Sequence, residues 1–116
     1  MPWCYDPHSG GQKIPSRSYD QFTKRVHAFA SSRPWSSKVQ LSLRFKRQFC
    51  YLDITESGET EASPLARLRY FRDEYWSMAF YTWSHMRYEP CALSNGKWEG
   101  TIEEAIATCE AFIVGL

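Results

Sequence analysis

Three histidines, four cysteines and thirteen Asp and Glu residues are what this 116-residue chain offers for acid–base, nucleophilic or metal chemistry. Their spacing supports little of it. Cys4, Cys50, Cys91 and Cys109 stand far apart, with no C-x-x-C and no paired histidine spacing, so neither a zinc ribbon nor a redox pair is predicted. Cys4, Asp6 and His8 alternate near the start and could ligate a metal from an extended chain. Three ligands without a fourth at a known spacing read first as part of an extended arm, and no metal site is predicted. Glu103 and Glu104 are adjacent carboxylates, but they fall in the first turn of a helix, where acids offset the positive end of the helix dipole. The chain has no G-x-S-x-G, phosphate-binding loop, G-x-G-x-x-G or H-E-x-x-H. It reads as a non-enzyme, with no catalytic residue and no cofactor.

A second kind of chemistry has better support. Arg44, Tyr51, Arg67, Arg69, Tyr81 and Trp83 alternate with apolar residues at strand spacing, and so fall on one face of a sheet together with Phe49, Phe71 and Tyr75. Rings and guanidinium groups on a sheet offer three kinds of contact. They can form the centre of a protein interface, hold an anionic aromatic ligand through Arg67 or Arg69, or grip a single-stranded nucleic acid by stacking and phosphate contact. The order of elements is not β-α-β-β-α-β, and no Arg-Gly-Phe-Gly-Phe segment exists, so the best-known module of the last kind is not indicated. The sequence ranks self-association through this face first and a small-molecule ligand held between the face and the N-terminal arm second, with an enzyme third, and it places single-stranded nucleic acid below self-association. The arm of residues 1 to 15, with Trp3, Tyr5 and three prolines, is the leading candidate for covering the face, ahead of a second copy or a nucleic acid. Asp53 shares the face with Ser42 and Arg44. If buried, it needs a cationic partner, and such a pair is more often structural than catalytic.

The elements that must position these residues follow from periodicity. Ser18 with Gln21 suggests a capping box, and Tyr19, Phe22, Val26, Phe29 and Ala30 recur at helical spacing until Arg33-Pro34, which predicts a helix over about residues 19 to 31. From Val39 the period becomes two. A turn at Arg47-Gln48 pairs Phe45 with Cys50, Leu43 with Leu52 and Leu41 with Ile54, all apolar. Residues 56 to 63 form an acidic loop. A second hairpin turns at Arg72-Asp73-Glu74 and sets Phe71 opposite Tyr75, Tyr70 opposite Trp76, Leu68 opposite Met78 and Ala66 opposite Phe80. Tyr88 to Leu93 reads as a fifth strand whose Pro90 suits an edge. Thr101 and Glu104 make a capping box that opens a helix over about residues 102 to 114. The prediction is a single α+β domain over residues 1 to 116, a largely antiparallel sheet of about five strands with an N-terminal and a C-terminal helix on one face.

Composition sets the outer limits. With 43% hydrophobic and 16% aromatic residues the chain should fold, and a net charge of +1 argues against a polybasic nucleic-acid binder. That near-neutrality hides an asymmetry. Residues 1 to 55 hold nine Lys and Arg against three acids, and residues 56 to 116 hold five against ten. The two patches either neutralise each other inside one fold or serve contacts between copies or with an anionic partner. No apolar run approaches the roughly 20 residues of a membrane helix. The first residues lack the pattern of a signal peptide, so a cytoplasmic location without membrane contact is expected.

Across most of its length the chain also resembles small bacterial proteins of unknown function. The similar stretches are Trp3 to Gly11, Phe49-Cys50-Tyr51-Leu52-Asp53, Arg67-Leu68-Arg69-Tyr70-Phe71 and Gly100-Thr101-Ile102-Glu103-Glu104-Ala105. That resemblance implies no particular activity.

Overall fold

The strongest alternation in the chain forms the first hairpin of the sheet. In a computed structural model that describes residues 10–113, β1 (Val39–Lys46) and β2 (Phe49–Glu56) are antiparallel and pair Phe45 with Cys50, Leu43 with Leu52 and Leu41 with Ile54. This is the register expected from the sequence, because a slip of one residue would turn every apolar side chain to the other face. β3 (Ser63–Arg72) and β4 (Tyr75–Thr82) form the second hairpin, with Tyr70 opposite Trp76, Leu68 opposite Met78 and Ala66 opposite Phe80. One pair differs from expectation. A bulge between Tyr70 and Arg72 sets Arg72, not Phe71, opposite Tyr75. The turn tightens to Asp73 and Glu74, with Glu74 at φ +71°, and the extra residue leaves Phe71 out of the ladder.

The remaining strands lie on one edge of β4. β5 (Arg87–Cys91) runs beside Met78 to Thr82 and ends two residues before the expected Leu93, which instead turns into the core. β6 (Glu99–Gly100), which no periodicity announced, runs beside Trp76 and Ser77. Strand order is β1-β2-β3-β4, then β5 and β6 in succession on the edge of β4, all antiparallel. Pro90 is therefore on an edge, where a missing N–H costs no ladder bond.

Two helices cover the inner face, giving an α+β fold. α1 (Tyr19–Ser31) buries Phe22, Val26 and Ala30, and α2 (Ile102–Ile113) buries Ile102, Ala105, Ile106, Cys109 and Ile113. Phe22 meets the fully buried Trp76 edge to face at 5.1 Å, Tyr19 stacks on Phe45 at 4.3 Å and Phe112 stacks on Phe80 at 4.9 Å. The start of α2 follows the sequence. Thr101 Oγ1 accepts from the Glu104 N–H at 3.1 Å, and Glu104 Oε1 accepts from the Thr101 N–H at 2.9 Å. Gly100 makes room for this box, since a Cβ there would lie 2.7 Å from Glu104 Oε1. The box expected at Ser18 does not form. Ser18 makes no side-chain cap bond, because a 3-10 turn over Ser16–Ser18 leads straight into the helix and the Ser18 N–H donates to Pro15 O.

Ion pairs relieve part of the charge asymmetry. Arg25 donates to Glu103 at 2.5 and 2.8 Å and to Glu74 at 2.6 Å, and Arg33 pairs with Glu110. Each joins a cation of the first half to an acid of the second. Arg25 and Arg33 meet the two ends of α2 in order, so the helices run parallel. The Arg25 guanidinium holds the Glu103 carboxyl below its ordinary value. Three of the ten acids of the second half thus meet cations of the first half within the fold, and no helix among the described residues is long and apolar enough to cross a membrane.

Of the extended arm, residues 10–15 are described, while Trp3 and Tyr5 lie outside the described residues. The Gln12 N–H donates to Tyr70 O and the Ile14 N–H to Arg47 O, and Ile14 is fully buried. Gly11, at φ +95°, approaches Tyr70 O so closely that a Cβ would stand 2.8 Å from it.

Candidate binding face

The outer side of the sheet is built from the alternate residues of the same strands. Pairing of β2 with β1 and β3 sets Tyr51 beside Arg44 on one side and Arg67 on the other, and Phe49 beside Lys46 and Arg69. Every one of these side chains points away from the helices, because its neighbours Cys50, Leu52 and Leu68 point into the core.

The rings form a continuous row across four strands. Phe49 and Tyr51 are 6.0 Å apart, Tyr51 and Tyr88 5.6 Å, Tyr88 and Tyr81 5.2 Å, and Tyr81 and Trp83 5.0 Å, each pair tilted or edge to face. Tyr88 is the keystone and was not among the residues singled out from the sequence. It stands on β5 opposite Tyr81, yet its ring reaches Tyr51 on β2. Ala79, opposite Arg67 on β4, is small enough to let it pass and is itself only 5% exposed beneath this layer. Facing positions in the β4–β5 hairpin were the available signal, since pairing Thr82 with Arg87 brings Tyr81 opposite Tyr88. Burial pushes the Tyr88 phenol above its ordinary value.

A second tier of guanidinium groups lies over the rings. Arg44 is 4.9 Å from the Tyr51 centroid, and Arg67 is 4.6 Å from Phe49 and 5.3 Å from Tyr88. Arg69 is 4.8 Å from Phe49 and also donates to Gly10 O at 2.8 Å. At the β3–β4 turn Arg72 lies 4.2 Å from Tyr75. Each contact is of the cation–π kind, worth about 0.5–1 kcal/mol where solvent reaches it.

Asp53 is the one acid in the middle of this layer, 7% exposed and accepting from Arg44 Nε at 2.7 Å and Nη2 at 3.3 Å. A buried carboxylate needs such a partner, and the pair reads as structural. Arg67 differs. Among the described residues no carboxylate pairs with it, and its contacts are the two rings.

The site residues read from the sequence therefore divide. Arg44, Tyr51, Arg67 and Arg69 form one cluster, and Tyr81 joins it through Tyr88. Trp83 lies beyond the end of β4, 60% exposed, on the rim of an apolar cleft of about 280 Å³ with Pro64, Leu65 and Phe112.

Nucleophiles are poorly placed. Burial pushes the Cys50 thiol up to about 12 and raises Cys109 further, so neither carries thiolate at neutral pH. The Cys4, Asp6 and His8 trio lies outside the described residues, and among the described residues no three His, Cys, Asp or Glu side chains converge as a ligand set. Comparison with known protein families, curated proteins and solved structures finds no match for this chain.

Proposed function

We propose that the chain is a non-catalytic binding module whose outer sheet face takes an anionic partner. The observation that carries this is the setting of Arg67. Its guanidinium lies 4.6 Å from the Phe49 ring and 5.3 Å from the Tyr88 ring, the residue is half-buried, and no carboxylate among the described residues pairs with it. A guanidinium held against rings has lost hydration on its faces while its N–H edge still requires acceptors. Arg44, Arg69 and Lys46 lie on the strands around it, and the nearby acid Asp53 is engaged by Arg44, while Glu99 stands beside Ser77 at the far edge of the face. The field at this point favours carboxylate or phosphate groups.

Charge weighs against the middle of the face meeting a second copy of itself. A two-fold interface puts each patch against its own image, so Arg44, Arg67 and Arg69 would face like charges. Self-association finds better support at the Trp83 end, where the exposed indole adjoins the apolar cleft. A single-stranded nucleic acid would meet phosphate-binding groups, but the faces of Phe49, Tyr51 and Tyr88 are already engaged by guanidinium groups or neighbouring rings, leaving little for bases to stack on. Free thiols at Cys50, Cys91 and Cys109 agree with a reducing compartment such as the cytoplasm.

The test is a binding panel at low salt with tripolyphosphate, an acidic peptide and oligothymidine. Affinity for at least one should fall steeply as salt rises, and Arg67→Ala should weaken it about tenfold or more, as loss of a charge-assisted hydrogen bond does. Absence of binding to all three at high micromolar protein would overturn the reading.

A further inference from the structure

We infer that the anionic partner reaches this face as an extended acidic segment of another protein, laid along β1 as a seventh strand. The inference rests on the proposed anionic reading of the outer face and adds to it the place and form of the partner.

The backbone supplies the first observation. β1 ends the sheet order, and its bonds to β2 are set by two facts: Lys38 O accepts from the Ser57 N–H at 2.8 Å, and Lys46 stands opposite Phe49 across a two-residue turn. In an antiparallel ladder bonded pairs alternate, so Gln40, Ser42, Arg44 and Lys46 turn their N–H and C=O groups toward β2, as does the Lys38 C=O, whereas the Lys38 N–H donates to Trp35 O. Val39, Leu41, Leu43 and Phe45 turn theirs away. No backbone partner on that side is found among the described residues. This is the template on which a peptide strand adds.

Side chains supply the second. On the inner side Val39 and Leu41 are buried, whereas Leu43 and Phe45 are only partly so, although both pack on the core. A strand laid beside them would finish covering them. Beyond Val39 the edge opens into a shallow depression of about 670 Å³ lined in part by His27, Trp35, Lys38 and Leu41 but also by Glu56 and Glu59, so it suits an uncharged end of such a segment, with the acids farther along beside Arg44 and Lys46.

Charge selects the occupant. The outward side chains of this edge are Lys38, Gln40, Ser42, Arg44 and Lys46, three cations and no acid. A second β1 pairing antiparallel about Ser42 would set Lys38 opposite Lys46, and like charges directly opposite are destabilising. The same cations guard the edge against self-pairing and complement a strand that carries acids at alternate positions. That strand would also extend the guanidinium layer, because Arg44 and Lys46 belong to both the edge and the face.

The test uses the whole chain and a labelled peptide of about twelve residues that alternates Glu with Thr and Val, followed by fluorescence anisotropy. Leu43→Pro deletes an N–H that takes no part in the β1–β2 ladder, a position where an edge strand tolerates proline. It should weaken the peptide about tenfold or more while leaving tripolyphosphate binding and its dependence on Arg67 unchanged. The same peptide N-methylated at alternate residues should bind wild-type protein equally weakly in the register that points the methyl groups at β1, which decides the matter even if Leu43→Pro does not fold. Equal affinity of the methylated and unmethylated peptides would overturn the strand inference and leave the anionic face standing. A wild-type chain that binds oligothymidine and not the peptide would overturn it too. Failure of every anion would remove both readings.

Discussion

The two faces of this sheet exclude water by different means. On the inner face, Leu52, Leu68 and Trp76 are sealed under two helices and make the dense apolar contacts of an ordinary core. On the outer face, Ser77 and Ala79 are nearly as buried, at 2% and 5%, yet among the described residues no helix lies over them. Among the described residues, the layer on this side is made of rings crossed by guanidinium groups. An apolar lid ends in nothing that binds. A lid of guanidinium groups ends in N–H donors directed outward, so the same layer that dries the sheet also presents charge to a partner.

Substitutions should separate the two modes by size. Leu68→Ala on the inner face leaves a cavity between α1, α2 and the sheet and should cost about 3 kcal/mol, read from urea unfolding; a loss under about 1 kcal/mol would mean that the inner core is loosely packed. Tyr88→Ala on the outer face should cost less, about 1–2 kcal/mol, because the layer it joins can relax into solvent. It should also raise the accessibility of Tyr51 and of the Ala79 region, seen as faster amide exchange in β4. A cost equal to that of Leu68→Ala would show that the outer layer is a second core.

The helix pair gives a smaller, pH-dependent difference. Glu103 is held below its ordinary value chiefly by the hydrogen bond from Arg25, and Glu104 chiefly by the Thr101 backbone N–H. A carboxyl depressed in the folded state stabilises above its unfolded value, near 4.5, and loses that contribution as pH falls through the folded value. Glu103→Gln should therefore lower Tm at neutral pH, and the gap from wild type should close as pH drops below about 4. A gap that stays constant with pH would mean that the Arg25 pair adds nothing. Smallest of all, Arg47 holds φ +57° in the first hairpin turn, and Arg47→Gly should raise stability by about 1 kcal/mol or less without touching either face.

How far each face could be read in advance follows from the same contrast. The inner face was legible because alternation over Val39 to Phe45 and Cys50 to Ile54 fixes the register by burial alone, and β1 and β2 pair as that requires. Both helices were legible for the same reason. The misses have local causes. β6 is two residues long and carries no period, Ser18 loses its capping role to a 3-10 turn, and Phe71 leaves the ladder through a bulge. On the outer face the membership of Arg44, Tyr51, Arg67 and Arg69 followed from strand parity. The role of Tyr88 did not, because it depends on a ring reaching over two strands past Ala79, and parity says nothing about reach.

Arg67→Met tests the central claim most directly. Methionine keeps much of the apolar stem against Phe49 and Tyr88 and removes the charge, so lid and receptor are separated in one variant. Stability should stay within about 1 kcal/mol of wild type, while affinity for tripolyphosphate or the acidic peptide falls about tenfold or more and its salt dependence flattens. A variant that binds these anions as tightly as wild type, with the same salt dependence, would contradict the account.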